Sequence, residues 1–149
     1  MTDCFAKRRN SRSQEGLTYT AIQDLAWFRY ELRKFLGFSE RAAKSQGLTP
    51  KQHQLLLGIA GFNGTRRATI SELAEFLQER HNSVVELVGR AMRNGLVRKK
   101  QDPSDRRFVY VSLTLRGETM LSRLTKLHRD EVERLRSGLL GSHGGARRE

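Results

Sequence analysis

Apolar residues recur along this chain at two spacings, and the spacings predict its elements. Between residues 18 and 36, Ala21, Leu25, Phe28, Leu32 and Phe35 repeat at alternating steps of four and three, the period of one helical face. Ile22, Ala26, Trp27, Tyr30 and Leu36 put apolar surface on other faces of the same helix. A helix apolar over most of its girth must be covered on more than one side. One chain of this size supplies one cover, and a second subunit is the natural source of the other. Gly37 is expected to end this helix, with a short amphipathic turn or helix over 39–46.

A second start stands at Thr49-Pro-Lys-Gln52. Thr49 caps, Pro50 suits the first helical position and Gln52 closes a capping box. Leu55, Leu56, Leu57, Ile59 and Ala60 make this helix a core element, and His53 in its first turns reads as a surface or hydrogen-bonded histidine. Residues 61–67 read as a loop. Thr69 and Glu72 form another capping box, opening a helix with Ile70, Leu73, Ala74 and Leu77 on one face. Val84, Leu87, Val88 and Ala91 then mark the buried face of a further helix, which Asn94-Gly95 stops. Its opposite face shows Asn82, Ser83, Glu86, Arg90 and Arg93.

The period then changes to two. Val97–Gln101, the turn Asp102-Pro-Ser-Asp105 and Arg106–Leu113 read as a hairpin, with Val109, Val111 and Leu113 alternating against Phe108, Tyr110 and Ser112. Thr114 is expected to cap a last helix whose first turn Gly117 weakens. Its stripe runs Leu121, Leu124, His128, Val132, Leu135, Leu139, with His128 read as a histidine hydrogen-bonded in an interface. The first and last helices, both rich in apolar surface, pair as a dimerisation layer around a compact central unit.

Two short helices joined by a turn, the second polar on its outer face, have the shape that enters a DNA major groove. Two packed helices are also common in ordinary cores. The hairpin weighs against that plainer reading, because Arg98, Lys99, Lys100, Arg106 and Arg107 cluster on it, where they can reach a minor groove or phosphates. Asn82 and Ser83 are best placed for base edges or phosphates, with His81 assisting. Asn reads adenine bidentately, though a phosphate contact fits it equally. Arg90 and Arg93 are expected to meet backbone phosphates, and Lys99 and Lys100 to add charge beside the hairpin tip.

Leu73-Ala-Glu-Phe-Leu77, Ser83-Val-Val-Glu-Leu-Val-Gly-Arg90, Asn94-Gly-Leu-Val97 and above all Asp102-Pro-Ser-Asp-Arg-Arg-Phe-Val-Tyr-Val-Ser-Leu-Thr114 resemble the winged helix–turn–helix of MarR-family transcription regulators. The resemblance covers about residues 17–140. It implies a mainly α fold with a small β-wing, in which a winged helix–turn–helix over 48–114 is flanked by dimerisation helices at 17–47 and 115–140. It also implies a small strand near Ala68-Thr69 pairing with the wing, and a two-fold dimer acting as a repressor on an inverted repeat. Arg107 matches the wing arginine that reaches the minor groove or braces the wing. A ligand pocket between the dimer helices and the winged unit is implied too, which Trp27, Tyr30, Phe38 and His53 would border; as plain core or interface residues these four need no ligand.

Three positions depart from the family pattern. Gly89 stands where an Asp is common that can pair with the wing arginine, so Arg107 is left to lean on Asp102 or Asp105 or to stay free for DNA. Glu86 would repel phosphate unless it pairs with Arg90 one turn on. Arg80 is a poor N-cap, which shifts the expected start of its helix toward Asn82.

Composition adds a partner. Lys and Arg number 28 against 16 Asp and Glu in 149 residues, for a net charge of +12. Such a balance favours a polyanion and speeds encounter with it. No run approaches the roughly 18 apolar residues of a membrane span, no signal peptide is read at the start, and the one cysteine, Cys4, has no internal partner. A cytoplasmic protein is expected. Residues 1–16 and 141–149 read as a flexible basic arm and a flexible tail. Cys4 in that arm is an incidental thiol, or a redox sensor as in some members of the resembled family. The four histidines have no metal-ligand spacing with Cys4 or a carboxylate pair, and no Gly-rich phosphate loop occurs. No enzyme, metal or cofactor is therefore expected. Three functions stay open: a dimeric sequence-specific reader of double-stranded DNA, a non-specific basic nucleic-acid-binding module, and a sensor whose main input is a small-molecule effector or an oxidant.

Overall fold

In a computed structural model of the protein, residues 19–141 are described. The arm read over 1–16, with Cys4, lies outside the described residues, as does the tail beyond Gly141. Among the described residues no helix is long and apolar enough to cross a membrane.

The first helix, α1, runs Tyr19–Ser45, straight through Gly37. The expected stop fails for a thermodynamic reason. Extending an existing helix is far cheaper than nucleating one. A mid-helix glycine costs only about 1 kcal/mol, and the extension buries Ala42 and Ala43. The true stop is Gly47, with φ of 76°. There Leu48 N–H donates to the Ala43 carbonyl at 3.0 Å, the reach-back bond of a left-handed C-terminal cap.

Helix α2, Pro50–Leu57, starts with the expected capping box, in which Thr49 Oγ1 accepts from Gln52 N–H and Gln52 Oε1 accepts from Thr49 N–H. It continues as one π-helical turn, Gly58–Phe62. Leu55, Leu56 and Ile59 are fully buried, while Leu57 faces outward. Strand β1, Arg67–Ala68, precedes α3, Ile70–Leu77, which opens with the Thr69–Glu72 box. Helix α4, His81–Arg93, buries Val84, Leu87, Val88 and Ala91 as the periodicity predicts. It starts at His81, not Asn82. Arg80 holds the extended N-cap conformation, and its side chain caps nothing. The Asn94-Gly95 stop holds, with Gly95 at φ of 68°.

Strands β2, Val97–Gln101, and β3, Val109–Leu113, form the wing, and β1 joins β3 on its other edge in an antiparallel sheet ordered β1-β3-β2. Strand β3 begins three residues later than Arg106, where the alternation placed it. The Asp105 carbonyl accepts from Phe108 N–H at 3.0 Å, closing a turn over that stretch. Helix α5, Leu115–Leu140, starts under the Thr114 cap. Gly117 is there for space rather than as a weakness, since a Cβ would lie 2.1 Å from the Leu96 carbonyl oxygen. The fold is thus mainly helical with a small antiparallel sheet, a winged helix–turn–helix. Its core gathers Leu55, Leu56, Ile59, Leu73, Val84, Val88, Leu96, Val111 and Leu124.

Candidate nucleic-acid interface

Burying the apolar stripe of α4 turns the other side of the helix outward. His81, Asn82 and Ser83 are all exposed in its first turn. Since no side chain caps this end, its leading N–H groups are open to an acceptor, and a helix N-terminus favours an anion. Arg90 and Arg93 lie two to three turns further along the same face. Glu86 stands 3.9 Å from Arg90, the expected i, i+4 pair in a loose form. Shallow clefts between this face and the start of α2 are lined by Lys51, Ser83, Glu86, Arg90 and Arg93 among others. Sequence reading missed Lys51. Its position in the first turn after Thr49-Pro50 was the available signal, but nothing local says that α2 begins beside α4. Lys51 is tied to Glu79 by an ion pair.

The wing tip is built by two carboxylates. Asp102 Oδ1 accepts from Ser104 N–H at 2.8 Å and from Ser104 Oγ, with Asp105 N–H at 3.3 Å. These bonds, helped by the charge of Arg67, hold the Asp102 carboxyl below its ordinary range. Asp105 accepts from Arg107: backbone N–H at 3.1 Å, Nε at 3.0 Å and Nη2 at 2.7 Å. The fork depresses the Asp105 pKa and raises that of Arg107. Of the alternatives left by Gly89, Arg107 therefore takes Asp105. Arg106 and Arg107 both project from the turn in solvent.

Lys99 and Lys100 do not act together. The pairings Lys99↔Val111 and Lys100↔Tyr110 put them on opposite faces of the sheet. Lys100 shares the outer face with Arg98, Tyr110, Ser112 and Arg67. Arg67, which sequence reading left in a loop, holds its guanidinium carbon 4.1 Å from the Tyr110 ring centroid.

The four residues suggested for a ligand pocket fall into two pairs. Trp27 and Tyr30 stack at 5.3 Å on the exposed part of α1, where Trp27 Nε1 donates to the Gly138 carbonyl at 3.0 Å. Phe38 and His53 meet around His128, at ring distances of 5.2 and 5.0 Å. His53 is not a surface residue; it is 2% exposed. Burial, and then the neighbouring His128, lower its pKa from 6.5 to about 4. His128 Nδ1 lies 2.7 Å from the Leu124 carbonyl, to which it must donate, and Nε2 is buried without a partner. The His128 ring is thus hydrogen-bonded, as expected, but within its own chain at the meeting of α1, α2 and α5. Among the described residues no group of three or more His, Cys, Asp or Glu is placed to hold a metal ion.

Residues 46–107 match the model of the MarR family. An HTH-type transcriptional regulator of Bacillus subtilis (strain 168), YkoM, is 28% identical over 115 residues, covering 75% of this chain and 73% of that one. AbsC of Streptomyces coelicolor, a MarR-family transcriptional regulator, superposes with a TM-score of 0.67 at 24% identity, over 80% of each chain. A mutant of Escherichia coli MarR complexed with operator DNA superposes at 0.59 and 21% identity, over 74% of this chain and 75% of that one. The matched span runs from the turn before α2 to the wing tip, through the helices and turns described above, and over that span the chain is similar to MarR-family regulators.

Proposed function

We propose that the protein is a transcription regulator that binds double-stranded DNA sequence-specifically as a homodimer, acting as a repressor on an inverted repeat. The observation that carries this reading is the exposed, uncapped first turn of α4, with Asn82 and Ser83, in a winged unit whose tip carries the exposed Arg106 and Arg107. A major-groove helix and a minor-groove arginine are complementary contacts to the same duplex. His81, Arg90, Arg93, Lys99 and Lys100 add phosphate contacts at the margins.

Dimerisation is supported by what α1 leaves bare. Tyr19, Ile22, Leu25, Phe28 and Leu36 are exposed in the single chain, as are Leu127 and Leu140 of α5. An apolar strip of that kind marks an association surface. Two copies joined along it present two reading helices, which suits half-sites about one helical turn apart. A small effector released into the junction of α1, α2 and α5, near Phe38 and His53, would act by favouring the state that binds DNA poorly. On this reading the protein works in the cytoplasm, beside its DNA.

Selection of bound sequences from a random duplex pool at near-physiological salt tests the reading. An inverted repeat is the expected result. Salt-sensitive binding without a motif would replace it with the non-specific nucleic-acid module, because phosphate neutralisation alone gives the salt dependence and only base contacts give the motif.

A further inference from the structure

The wing sheet has two unlike faces. Ala68, Val97, Val111 and Leu113 point inward and are buried. The register places Arg67, Arg98 and Lys100 together on the outer face, around Tyr110 and Ser112. Arg67 and Arg98 both pair with Ser112, one from each side, so they straddle the central strand. None of the three cations has a carboxylate within ion-pair distance among the described residues; the nearby Arg66 does, in Glu118 at 3.2 Å. Two of the three are held in place. Arg67 lies over Tyr110, and Arg98 Nε donates to Ser112 Oγ at 3.3 Å. Like charges held side by side without a carboxylate in ion-pair distance are costly for the free protein and favourable beside a polyanion.

We propose that this outer face, Arg67, Arg98 and Lys100 around Tyr110, is a second DNA-backbone surface that grips the duplex flanking the stretch read by α4 and the wing tip. The inference rests on the DNA-binding reading and extends it beyond the operator. Three observations select the occupant. The face is continuous with the tip, since β2 and β3 run straight from it into the turn that carries Arg106 and Arg107. Cations on β1 and β2, one strand to either side of β3, are about 10 Å apart, far enough to meet different phosphates of a duplex whose strands each carry one charge per about 3.4 Å of helix axis. Tyr110 is already covered by Arg67, so it offers no free ring on which the bases of a single strand would stack. Arg67 has two roles here: it contacts the backbone, and through Tyr110 it positions the cationic row.

The test uses the full chain and two duplexes. One holds only the selected motif; the other extends it by about one helical turn, about 10 base pairs, at each end. Wild-type protein is expected to bind the longer duplex about tenfold more tightly, with a steeper salt dependence. The triple variant Arg67→Gln, Arg98→Gln, Lys100→Gln should lose on the short duplex only the marginal Lys100 contact, and gain nothing from extension. Its salt slope on the long duplex should fall by about 0.9 for each contact removed. Tyr110→Phe, which keeps a ring under Arg67, should retain the full gain, and Tyr110→Leu should lose part of it. An extension gain that survives in the triple variant, or an equal loss on both duplexes, overturns the proposal while leaving the DNA-reading function standing. The same holds if wild type gains nothing from extension. A wild-type protein with no affinity for either duplex removes the underlying reading itself, and the two failures are thereby distinct.

Discussion

The winged unit, α2 through β3, and the layer formed by α1 and α5 are built on opposite terms. The winged unit buries its apolar side chains within one chain: Leu55, Leu56, Ile59, Leu73, Val84, Val88 and Val111 are all fully buried, in a core to which α1 adds Ala42 and Ala43 and α5 adds Leu121 and Leu124. The α1–α5 layer does not. Tyr19 is 74% exposed, Leu25 63% and Phe28 46%. What joins α1 to α5 within the chain includes polar contacts between specific partners. Buried Glu31 accepts from Arg134 at 2.9 Å, and Trp27 donates to the Gly138 carbonyl. A region that leaves its apolar groups bare is half of an interface, whereas one that buries them is a finished domain. The chain thus separates reading, which one copy can shape alone, from assembly, which needs a second.

The contrast can be broken most severely from the finished side. Val88→Asp places an unpaired charge among fully buried side chains and should cost more than about 4 kcal/mol, enough to unfold the winged unit. Circular dichroism would register the loss of helix; a cooperative melt near the wild-type temperature would mean that the α4 stripe is not the core. The matching change on the unfinished side should act differently. Leu25→Asp with Phe28→Asp should leave the helix content intact, halve the mass seen by sedimentation, and weaken binding to an inverted repeat by about a hundredfold, since one half-site remains per particle. A dimer that survives both charges would move the interface elsewhere. Leu124 is unsuitable for this experiment. Its stripe reads as interface in the sequence, yet the residue is fully buried inside the single chain.

The two regions meet at His53 and His128, and pH should loosen that joint. The His53 pKa is lowered in the folded state, from 6.5 to about 4. The folded form therefore holds fewer protons than the unfolded one, and the stabilisation is complete above pH 6.5 and lost as the pH falls from there toward 4. Wild type should lose about 2 kcal/mol of unfolding free energy between pH 7 and 4.5 on account of this group. Urea titrations at the two values, run beside His53→Gln, isolate the contribution. An equal fall in the variant would show that His53 is not its source.

The smallest effect should come from the reading surface. Arg107→Ala should weaken DNA binding by about tenfold, with the melting temperature unchanged, because its carboxylate partner among the described residues, Asp105, is a neighbour in the same turn. Asn82→Ala should relax the preference at defined base positions, where a bidentate adenine contact is worth about 1–3 kcal/mol. A uniform loss across all sequences in the same selection assay would reduce Asn82 to a phosphate contact.

Much of this architecture is legible without coordinates. Both capping boxes, the α4 stripe, the Asn94-Gly95 stop and the hairpin are written in contacts between residues a few positions apart, and a local pattern suffices to specify a local contact. The basic tip was legible for the same reason, since Arg106 and Arg107 sit in the turn that Asp102 and Asp105 organise. What the sequence could not determine depended on elements far apart in the chain. Gly37 looks like a stop until Ala42 and Ala43 have somewhere to be buried. Gly117 looks like a weakness until Leu96 approaches it. Lys99 and Lys100 look like one patch until the register sends them to opposite faces, and Arg67 looks like loop until β1 pairs with β3 and sets it over Tyr110. His53 reads as a surface or a hydrogen-bonded histidine until α5 brings His128 against it. Local periodicity determined which segments are helix, strand and turn; only the packing of those segments decided which side chains are buried, paired or left bare, because burial and register are properties of the whole chain.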